Sequence, residues 1–363
     1  MTIRSRRSLQ NPDIRRPSAL ASMPRDPSML WLDRNENLDQ KLLEVSDDIL
    51  KRLDPLALAT YPEAGETYRK LAAWAGVDPE QLLLTPGSDG AIRLVFEAFV
   101  EHGDAVAHTA PTFAMYPVYS QVFGATVHTI RYQRGKNGPE LSPLEIESVL
   151  RQHAPKVLCL PNPDSPTGTT LAPDILARIL STCAEVGTVL LIDEAYHPFF
   201  DWSAVAWTKT SRNLVVARTF AKAWGLAGLR VGYAVAHPET IAYLHKMRPM
   251  YEVGTVAIEF LRLMLEHSDA MAASVARIND GKCYFADAMR TMGFDVLPTQ
   301  GNFIHVAFGD DSAAIHAALD GKVLYRKNFD DHCLAGYSRF TVAPKDIMEQ
   351  VIKPIQKAMG EKG

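Results

Sequence analysis

The chain has 363 residues, of which 47% are hydrophobic and 22% are charged, and a formal net charge of −4. This composition is typical of a soluble globular protein, and its slightly acidic balance argues against a nucleic-acid-binding surface. The sequence contains no apolar run that is long enough to span a membrane, so we expect no membrane partner.

The four cysteines are scattered and form no CxxC pair, which is typical of a reduced, cytoplasmic protein without a disulfide framework or a metal site. The first twenty residues are basic but contain no apolar stretch, so we do not expect a signal peptide. We interpret them as an arm that is mobile or packs on a neighbouring subunit, with binding to an acidic partner as the alternative.

Strands and helices alternate in the sequence from about residue 81 to residue 235. The predicted strands cover residues 81–85, 104–109, 126–132, 156–161, 188–196, 213–219 and 230–236. The predicted helices cover residues 87–100, 112–124, 142–153 and 172–187. Because the strands are almost entirely apolar, without alternation, they indicate an α/β fold in which a mostly parallel sheet is covered by helices. In such a sheet we expect the ligand site at the carboxyl ends of the strands.

After residue 238 the pattern changes to long amphipathic helices and short strands, which is typical of a smaller α+β domain. The predicted helices cover residues 255–267, 271–293, 312–320 and 347–359, and the predicted strands cover residues 294–298, 302–308, 323–328 and 338–343. We therefore divide the chain into an N-terminal arm with part of the small domain (1–48), a large domain (49–248) and a small C-terminal domain (249–363).

Polar residues follow two of the buried strands. Ser88 and Asp89 lie between two glycines at the start of a predicted helix, where free N–H groups and the helix dipole favour a phosphate. A helix cap is the simpler interpretation of that stretch. Asp193 ends another strand, where a buried carboxylate is costly unless it is paired. It could pair with a cation, or it could cap the next element.

Lys222 follows a third strand, between Thr219 and Arg230. Desolvation at the end of the sheet would lower the pKa of its amine and make it nucleophilic, so that it could form a Schiff base with an aldehyde. Thr219, Arg230 and a helix N-terminus could hold a phosphate, and Asp193 could pair with a protonated ring nitrogen. An aldehyde, a phosphate and a ring nitrogen that can be protonated are the three groups by which a protein can bind pyridoxal 5'-phosphate.

The sequence resembles the fold-type I, pyridoxal-phosphate-dependent aminotransferases of class I/II, and within them the histidinol-phosphate aminotransferase branch. The resemblance runs from about Leu32 to Pro344, and its most specific motifs are TFAKAWGLAGLRVGY, LLIDEAY, PTFAMY, GSDGAI and SPTG. It implies that residues 49–248 form the cofactor-binding domain. It also implies a homodimer whose active sites are shared across the subunit interface.

The resemblance implies individual roles for the residues of these motifs. Lys222 is expected to be the Schiff-base lysine that also moves the substrate proton, Asp193 to keep the ring nitrogen protonated, and Tyr196 to donate to the cofactor's phenolic oxygen. The other implied cofactor contacts are Phe113, stacked on the ring, the phosphate ligands Ser88, Asp89, Thr219 and Arg230, and Tyr61, which reaches the phosphate of the neighbouring subunit. The implied substrate contacts are Arg339 and Arg326, which bind its carboxylate or phosphate, together with the candidates Asn37 and Tyr251.

Three positions depart from the pattern of the family. Ser165 stands where the family has the asparagine that donates to the phenolic oxygen of the cofactor. This hydrogen bond therefore comes from a shorter side chain or from another group. Ala221 stands where this branch has a phosphate-binding serine. The stretch NENLDQ lacks the proline and aromatic pattern of the histidinol-phosphate pocket.

The leading hypothesis is an aminotransferase that exchanges an amino group between an amino acid, with glutamate as the expected donor, and a small anionic carbonyl compound. Phosphate esters such as that of histidinol belong to this class. The alternative on the same fold is a decarboxylase of a phosphorylated amino acid. A binding module that has lost the chemistry is a third hypothesis, whereas a dehydrogenase is disfavoured because no GxGxxG motif follows the first strand.

Overall fold

The computed structural model describes residues 5–12, 14 and 24–360. Its α-helices are α1 (Gln40–Arg52), α2 (Gly65–Ala75), α3 (Gly87–Phe99), α4 (Met115–Phe123), α5 (Pro143–His153), α6 (Pro173–Val186), α7 (Pro238–Met247), α8 (Thr255–Met264), α9 (Ser268–Thr291), α10 (Ser312–Leu319) and α11 (Lys345–Gly360). Its strands are β1 (Leu30–Trp31), β2 (Leu82–Thr85), β3 (Ala105–Ala110), β4 (Thr126–Arg131), β5 (Gln133–Gly135), β6 (Gly138–Glu140), β7 (Val157–Pro161), β8 (Val189–Asp193), β9 (Leu214–Thr219), β10 (Gly232–Ala236), β11 (Asp295–Leu297), β12 (Phe303–Ala307), β13 (Val323–Leu324) and β14 (Tyr337–Thr341).

The central sheet has seven strands in the order β2-β10-β9-β8-β7-β3-β4. All of them are parallel except β10, which runs antiparallel to both β2 and β9. Every residue of β2, β7, β9 and β10 is buried, which explains why these strands are apolar without alternation. The predicted α/β fold with a mostly parallel sheet is confirmed.

Local signals explain where several of the covering helices begin and end. Ser142 caps α5 by accepting a hydrogen bond of 3.3 Å from the backbone N–H of Glu145, and Pro143 occupies its first turn. Helices α4 and α6 end at Gly124 and Gly187, which adopt the left-handed conformation that glycine tolerates best. These ends lead the chain into the next strands of the sheet, β4 and β8.

The C-terminal part of the chain forms a second, smaller sheet. Strands β11, β12 and β14 are antiparallel, and the long helix α9 packs on α11 beside them. Strand β1 pairs with β13 in a separate two-stranded sheet, with Leu30 opposite Val323, so residues 30–31 join the C-terminal part of the chain.

The strand predicted at residues 323–328 is shorter than expected. Regular pairing ends at Leu324, and Asn328 has a positive φ of 41°, which is incompatible with a continuous strand. In the rest of the predicted span, residues 325–328, the structure has one isolated bridge, between Arg326 and Arg339. The strand prediction was therefore wrong over its second half, although the bridge preserves the contact between the two arginines.

The described part of the chain lacks both a membrane-spanning helix and a cluster of metal ligands. There, no helix has both the length and the apolar character needed to cross a bilayer. Within the same residues, no three His, Cys, Asp or Glu side chains are grouped so that they could hold a metal ion.

Candidate active site

The ends of neighbouring strands bring the predicted residues to one edge of the central sheet. Asp193, the last residue of β8, is paired with Ala217 in β9. Strand β9 ends two residues later at Thr219, which is paired with Gly232 at the start of β10. The register therefore places Asp193 and Thr219 at the same edge, and Lys222 follows in the turn.

The start of α3 packs closely against the start of β10. A Cβ atom added at Gly232 would lie 2.5 Å from the carbonyl carbon of Gly87 and 2.6 Å from the amide nitrogen of Ser88. Gly87 has a φ of +72°, and a Cβ atom there would lie 3.0 Å from Nη2 of Arg230. Because these positions lack side chains, the positive N-terminus of α3 and a guanidinium come together. This arrangement is suited to a phosphate.

Asp193 is buried but fully hydrogen-bonded. One carboxylate oxygen accepts from the Tyr116 hydroxyl at 3.0 Å, and the other accepts from the Ala195 backbone N–H at 3.0 Å. Burial raises the pKa of Asp193 to about 6; the two hydrogen bonds oppose this shift, and the charge of Asp89 adds to it. Phe113 packs edge-on against Tyr116, with ring centroids 5.8 Å apart. A cation beside Asp193 would favour its charged form.

The Lys222 amine is held at the same edge by the N-terminal segment. Its Nζ donates a hydrogen bond of 2.8 Å to the Arg34 carbonyl oxygen. Burial lowers the pKa of Lys222 to about 8, and the charge of Arg339 lowers it further, whereas Glu36 and Asp193 oppose the shift. A substantial fraction of this amine is therefore neutral near pH 8, which is the form that attacks an aldehyde.

Tyr196 lies three residues after the end of β8, in a turn that faces the N-terminal segment. Its hydroxyl oxygen accepts a hydrogen bond of 2.8 Å from Nδ2 of Asn35, and the Ser165 hydroxyl lies beside it and favours its charged form. Its ring packs edge-on against Phe303, with centroids 5.2 Å apart. The phenol is thus positioned by three separate parts of the chain.

Two arginines lie side by side near this phenol. Arg339 and Arg326 are joined by two backbone hydrogen bonds of 3.0 and 2.8 Å. Arg339 is buried, donates to the Asp33 carbonyl oxygen at 3.1 Å and packs over the Phe303 ring, whereas Arg326 is exposed. Burial lowers the pKa of Arg339, and the charge of Arg326 acts in the same direction. An anion between the two guanidinium groups would relieve their repulsion.

The remaining predicted residues are placed differently. Tyr61 and Tyr251 stack on each other, with centroids 4.5 Å apart, and their side chains are 76% and 47% exposed. Asn37 is buried, and its Nδ2 donates to the Ala223 carbonyl oxygen at 3.0 Å and to Ser274 Oγ at 3.1 Å. Asn37 therefore ties the lysine-bearing turn to α9.

Comparison with known proteins identifies the family. Residues 27–355 match the family described as aminotransferase class I and II. The chain belongs to the class I and II aminotransferases. Its resemblance to this family, which rested on short motifs, thus extends over nearly the whole described chain.

Relatives and solved structures within this family are similar over almost their full length. The chain is 30% identical to the histidinol-phosphate aminotransferase of Thermoanaerobacter sp. strain X514, over 92% of this chain and 94% of that protein. The histidinol-phosphate aminotransferase of Sinorhizobium meliloti, solved with pyridoxal-5'-phosphate, has a TM-score of 0.77 at 20% identity, covering 92% of each chain. The L-threonine-O-3-phosphate decarboxylase of Porphyromonas gingivalis has a TM-score of 0.75 at 21% identity, covering 91% of this chain and 99% of that one.

The residues at the sheet edge fit pyridoxal phosphate, the predicted cofactor. The absence of a side chain at Gly232 lets β10 pack against the start of α3, and the absence of one at Gly87 lets the Arg230 guanidinium approach the same helix N-terminus. Asp193 lies buried where a ring nitrogen could pair with it, and Lys222 supplies an amine with a lowered pKa. Family membership and the cofactor in the Sinorhizobium meliloti structure both support this prediction.

Two contacts of this aminotransferase site were missed by the sequence analysis. Tyr116, buried beneath Phe113, donates to Asp193, although the motif APTFAMY gave no reason to prefer this role over core packing. Asn35 donates to Tyr196 from a segment in which only Asn37 was predicted to have a function. The serine at position 165 was a usable signal, because it predicts that the bond to the phenolic oxygen comes from a shorter side chain or from another group.

Proposed function

We propose that this chain is a pyridoxal-phosphate-dependent aminotransferase that moves an amino group from an amino acid, with glutamate as the donor, to a small anionic carbonyl compound of the phosphate-ester class. The observation that carries the proposal is the environment of Lys222. Its amine has a pKa lowered to about 8 and lies within electrostatic reach of both Asp193 and Arg339. These are the groups that a ring nitrogen and an anionic substrate require.

At the cofactor end of the site, the residues of the chain would have different roles. Lys222 would bind the cofactor covalently and carry the proton from the substrate α-carbon. Asp193, held by Tyr116 and Ala195, would keep the ring nitrogen charged, and the bound cofactor then supplies a sink for the electrons left at that carbon. Phe113 would stack on the ring.

The phosphate of the cofactor would lie at the start of α3. Ser88, Asp89, Thr219 and Arg230 would hold it, with backbone N–H groups of the first helical turn. The Thr219 hydroxyl accepts from the Ala221 N–H at 3.1 Å, so its proton can be donated to the phosphate. Ala221 itself contributes no side-chain donor.

The substrate end would be selective for anions. Arg339 would bind the substrate carboxylate or phosphate, and Arg326 would add a second positive charge from the rim. Similarity to known proteins supports a phosphorylated substrate, because relatives of this chain are histidinol-phosphate aminotransferases and a structural neighbour is an L-threonine-O-3-phosphate decarboxylase.

A homodimer in the cytoplasm is part of the proposal. Large apolar side chains close in sequence to the stacked pair of Tyr61 and Tyr251 are also exposed, with Leu56 at 60%, Leu58 at 81% and Met250 at 79% exposure. Exposed apolar surface that is larger than usual marks an interaction site. Tyr61 would then reach the cofactor phosphate of the neighbouring subunit. Tyr251 would contact the substrate. The division at residues 48 and 248 would separate the cofactor-binding and small domains.

The first experiment tests covalent cofactor binding. The purified full chain, mixed with pyridoxal phosphate, should develop a long-wavelength absorbance, and borohydride reduction should leave the label on the peptide that contains Lys222. Lys222→Ala should lose both signals, whereas Lys209→Ala, which replaces an exposed lysine, should keep them. Labelling of any other lysine in the unmodified chain would sink the assignment.

A second experiment tests the reaction and its substrate class. Formation of 2-oxoglutarate from glutamate is measured with matched phosphorylated and unphosphorylated acceptors, and the phosphorylated member of each pair should react faster. Equal rates would contradict a phosphate pocket. Release of carbon dioxide from a phosphorylated amino acid, without any need for an acceptor, would identify the decarboxylase alternative instead.

A further inference from the structure

Asn35 is locked in one orientation at the centre of the site. It is only 3% exposed and has a positive φ of 57°, which is uncommon outside glycine. Its backbone N–H donates to Thr341 Oγ1 at 2.8 Å, and the Thr341 hydroxyl donates in turn to Asn35 Oδ1 at 3.3 Å. The Asn302 side chain also anchors it by donating to its carbonyl oxygen at 3.0 Å.

This arrangement decides which end of the Asn35 amide faces Tyr196. A threonine hydroxyl has a single proton, and here the backbone N–H of Asn35 points at its oxygen, so the proton is free for Oδ1. The amide oxygen is therefore turned to Thr341, and the NH₂ group is turned to the phenol, at 2.8 Å from its oxygen. The phenol oxygen must act as the acceptor in that bond, so its own proton points away from Asn35, toward the side where the Ser165 hydroxyl lies within hydrogen-bonding reach.

The Tyr196 ring has little room to rotate or shift away from Asn35. Phe303 packs edge-on against it, and a Cβ atom added at Gly301 would lie only 3.1 Å from its Cδ1. Burial raises the pKa of Tyr196, so the phenol keeps its proton at neutral pH. The Tyr196 hydroxyl is therefore a hydrogen-bond donor with a fixed direction, because its ring is held in place, its oxygen accepts from Asn35 and it keeps its proton.

We propose that Asn35 is a positioning residue that forces the Tyr196 hydroxyl to donate its proton to the phenolic oxygen of the bound cofactor. The proposal rests on the proposed function, because it requires pyridoxal phosphate at this edge of the sheet. It also bears on Ser165: where the family pattern has an amide donor to that oxygen, this chain has a serine, and the amide of Asn35 binds the tyrosine instead.

The test uses Asn35→Asp, which reverses the polarity of the bond. A carboxylate accepts from both Thr341 and Tyr196, so the phenol proton would be drawn away from the cofactor. A donor stabilises the phenolate form of the cofactor, so losing it should raise the pH midpoint of the long-wavelength absorbance in the cofactor-loaded protein by about one unit, a tenfold change. Tyr196→Phe should raise the midpoint similarly, and Asn35→Ala should raise it less.

A double variant distinguishes the effect of the direction of the Tyr196 proton from the effect of the new negative charge at position 35. In the Tyr196→Phe background, Asn35→Asp should add only a small shift, which measures the direct effect of the new carboxylate. An equal shift in both backgrounds would overturn the proposal. An unmodified chain that develops no long-wavelength absorbance with pyridoxal phosphate would instead overturn the proposed function, so the two failures are distinguishable.

A milder pair guards against loss of folding. Thr341→Val removes the hydroxyl that orients the amide and should raise the midpoint partly, while Thr341→Ser keeps the hydroxyl and should leave it unchanged. Thermal unfolding of the cofactor-free variants provides the structural comparison. If Thr341→Val lowers the melting temperature without moving the midpoint, Asn35 acts only in packing and the proposal fails.

Discussion

The two ends of the active site are built in different ways. At the cofactor end, Asp193, Thr219 and Lys222 lie at or just beyond the ends of adjacent strands, and the register of the sheet places them. At the substrate end, Arg339 meets the backbone of Asp33, a residue 306 positions away. The first end depends on close backbone packing, whereas the second depends on side-chain charges brought together from both ends of the chain. Substitutions should therefore affect the two ends differently.

The largest effect is expected from Asp193→Asn. Because Asp193 is proposed to pair with the ring nitrogen, loss of its charge should lower kcat/KM by roughly 10²–10⁴-fold, measured with the best amino donor. Substitution of an exposed carboxylate, Asp174→Asn, should leave the rate unchanged. A rate within about threefold of the unmodified enzyme would remove Asp193 from the chemistry, since it is smaller than any acid–base contribution.

The same variant should be more stable than the parent when both are free of cofactor. The pKa of Asp193 is raised from 3.8 to about 6, so its protonation favours folding below about pH 4, and this benefit is lost as the pH rises through 6. At pH 8 Asp193→Asn should therefore increase the free energy of unfolding by about 1–3 kcal/mol, and the gain should disappear near pH 4. Urea unfolding at the two pH values checks this sign.

The second effect should appear at the substrate end. Arg339→Met removes a buried charge that would pair with the substrate anion, which should weaken binding by about 2 kcal/mol or more, a rise in KM of roughly 30-fold. Arg326→Met removes an exposed charge, worth about 1 kcal/mol or less, and should raise KM less than about fivefold. Steady-state kinetics give both values, and the reverse order would mean that the rim, not the buried arginine, binds the anion.

A backbone effect should follow at the cofactor end. In Gly232→Ala the new Cβ atom meets backbone atoms of Gly87, Ser88 and Arg218 at 2.5–2.6 Å, so the start of α3 must shift. Overpacking of this kind costs about 1–3 kcal/mol of stability, and we also expect weaker binding of pyridoxal phosphate. Gly228→Ala, with no heavy atom within 4 Å of the new group, is the matched control and should change neither quantity.

The smallest effect should show that the two ends are electrostatically coupled. Covalent attachment of pyridoxal phosphate to the cofactor-free protein should accelerate with pH and level off above about pH 8, because the neutral amine of Lys222 is the reactive form. Arg339 is one of the charges that lower this pKa, so Arg339→Met should move the midpoint to higher pH. Stopped-flow absorbance measures the profile, and an unmoved midpoint would show that the two ends act independently.

The same division separates what was predictable from the sequence from what was not. The strands of the large sheet were predictable because continuous apolar runs indicate buried parallel strands, and the site because ligand-binding residues cluster at their carboxyl ends. The family was predicted from the resemblance of its motifs. The motif around Lys222 lies within a dozen residues of chain, so its spacing alone suggested one ligand. The second half of the strand at residues 323–328 was wrong, because Asn328 adopts a positive φ that apolar patterning does not reveal.

The sequence by itself predicted the fold class from local periodicity, the cofactor from the residue types at the strand ends, and the family from the resemblance of a few specific motifs. The partners of those residues required the folded chain. Tyr116 reaches Asp193 across 77 positions, and Asn35 reaches Tyr196 across 161. Such contacts depend on how helices and domains pack, and on the direction in which each hydroxyl or amide proton points, and neither is encoded in the spacing of residues along the sequence.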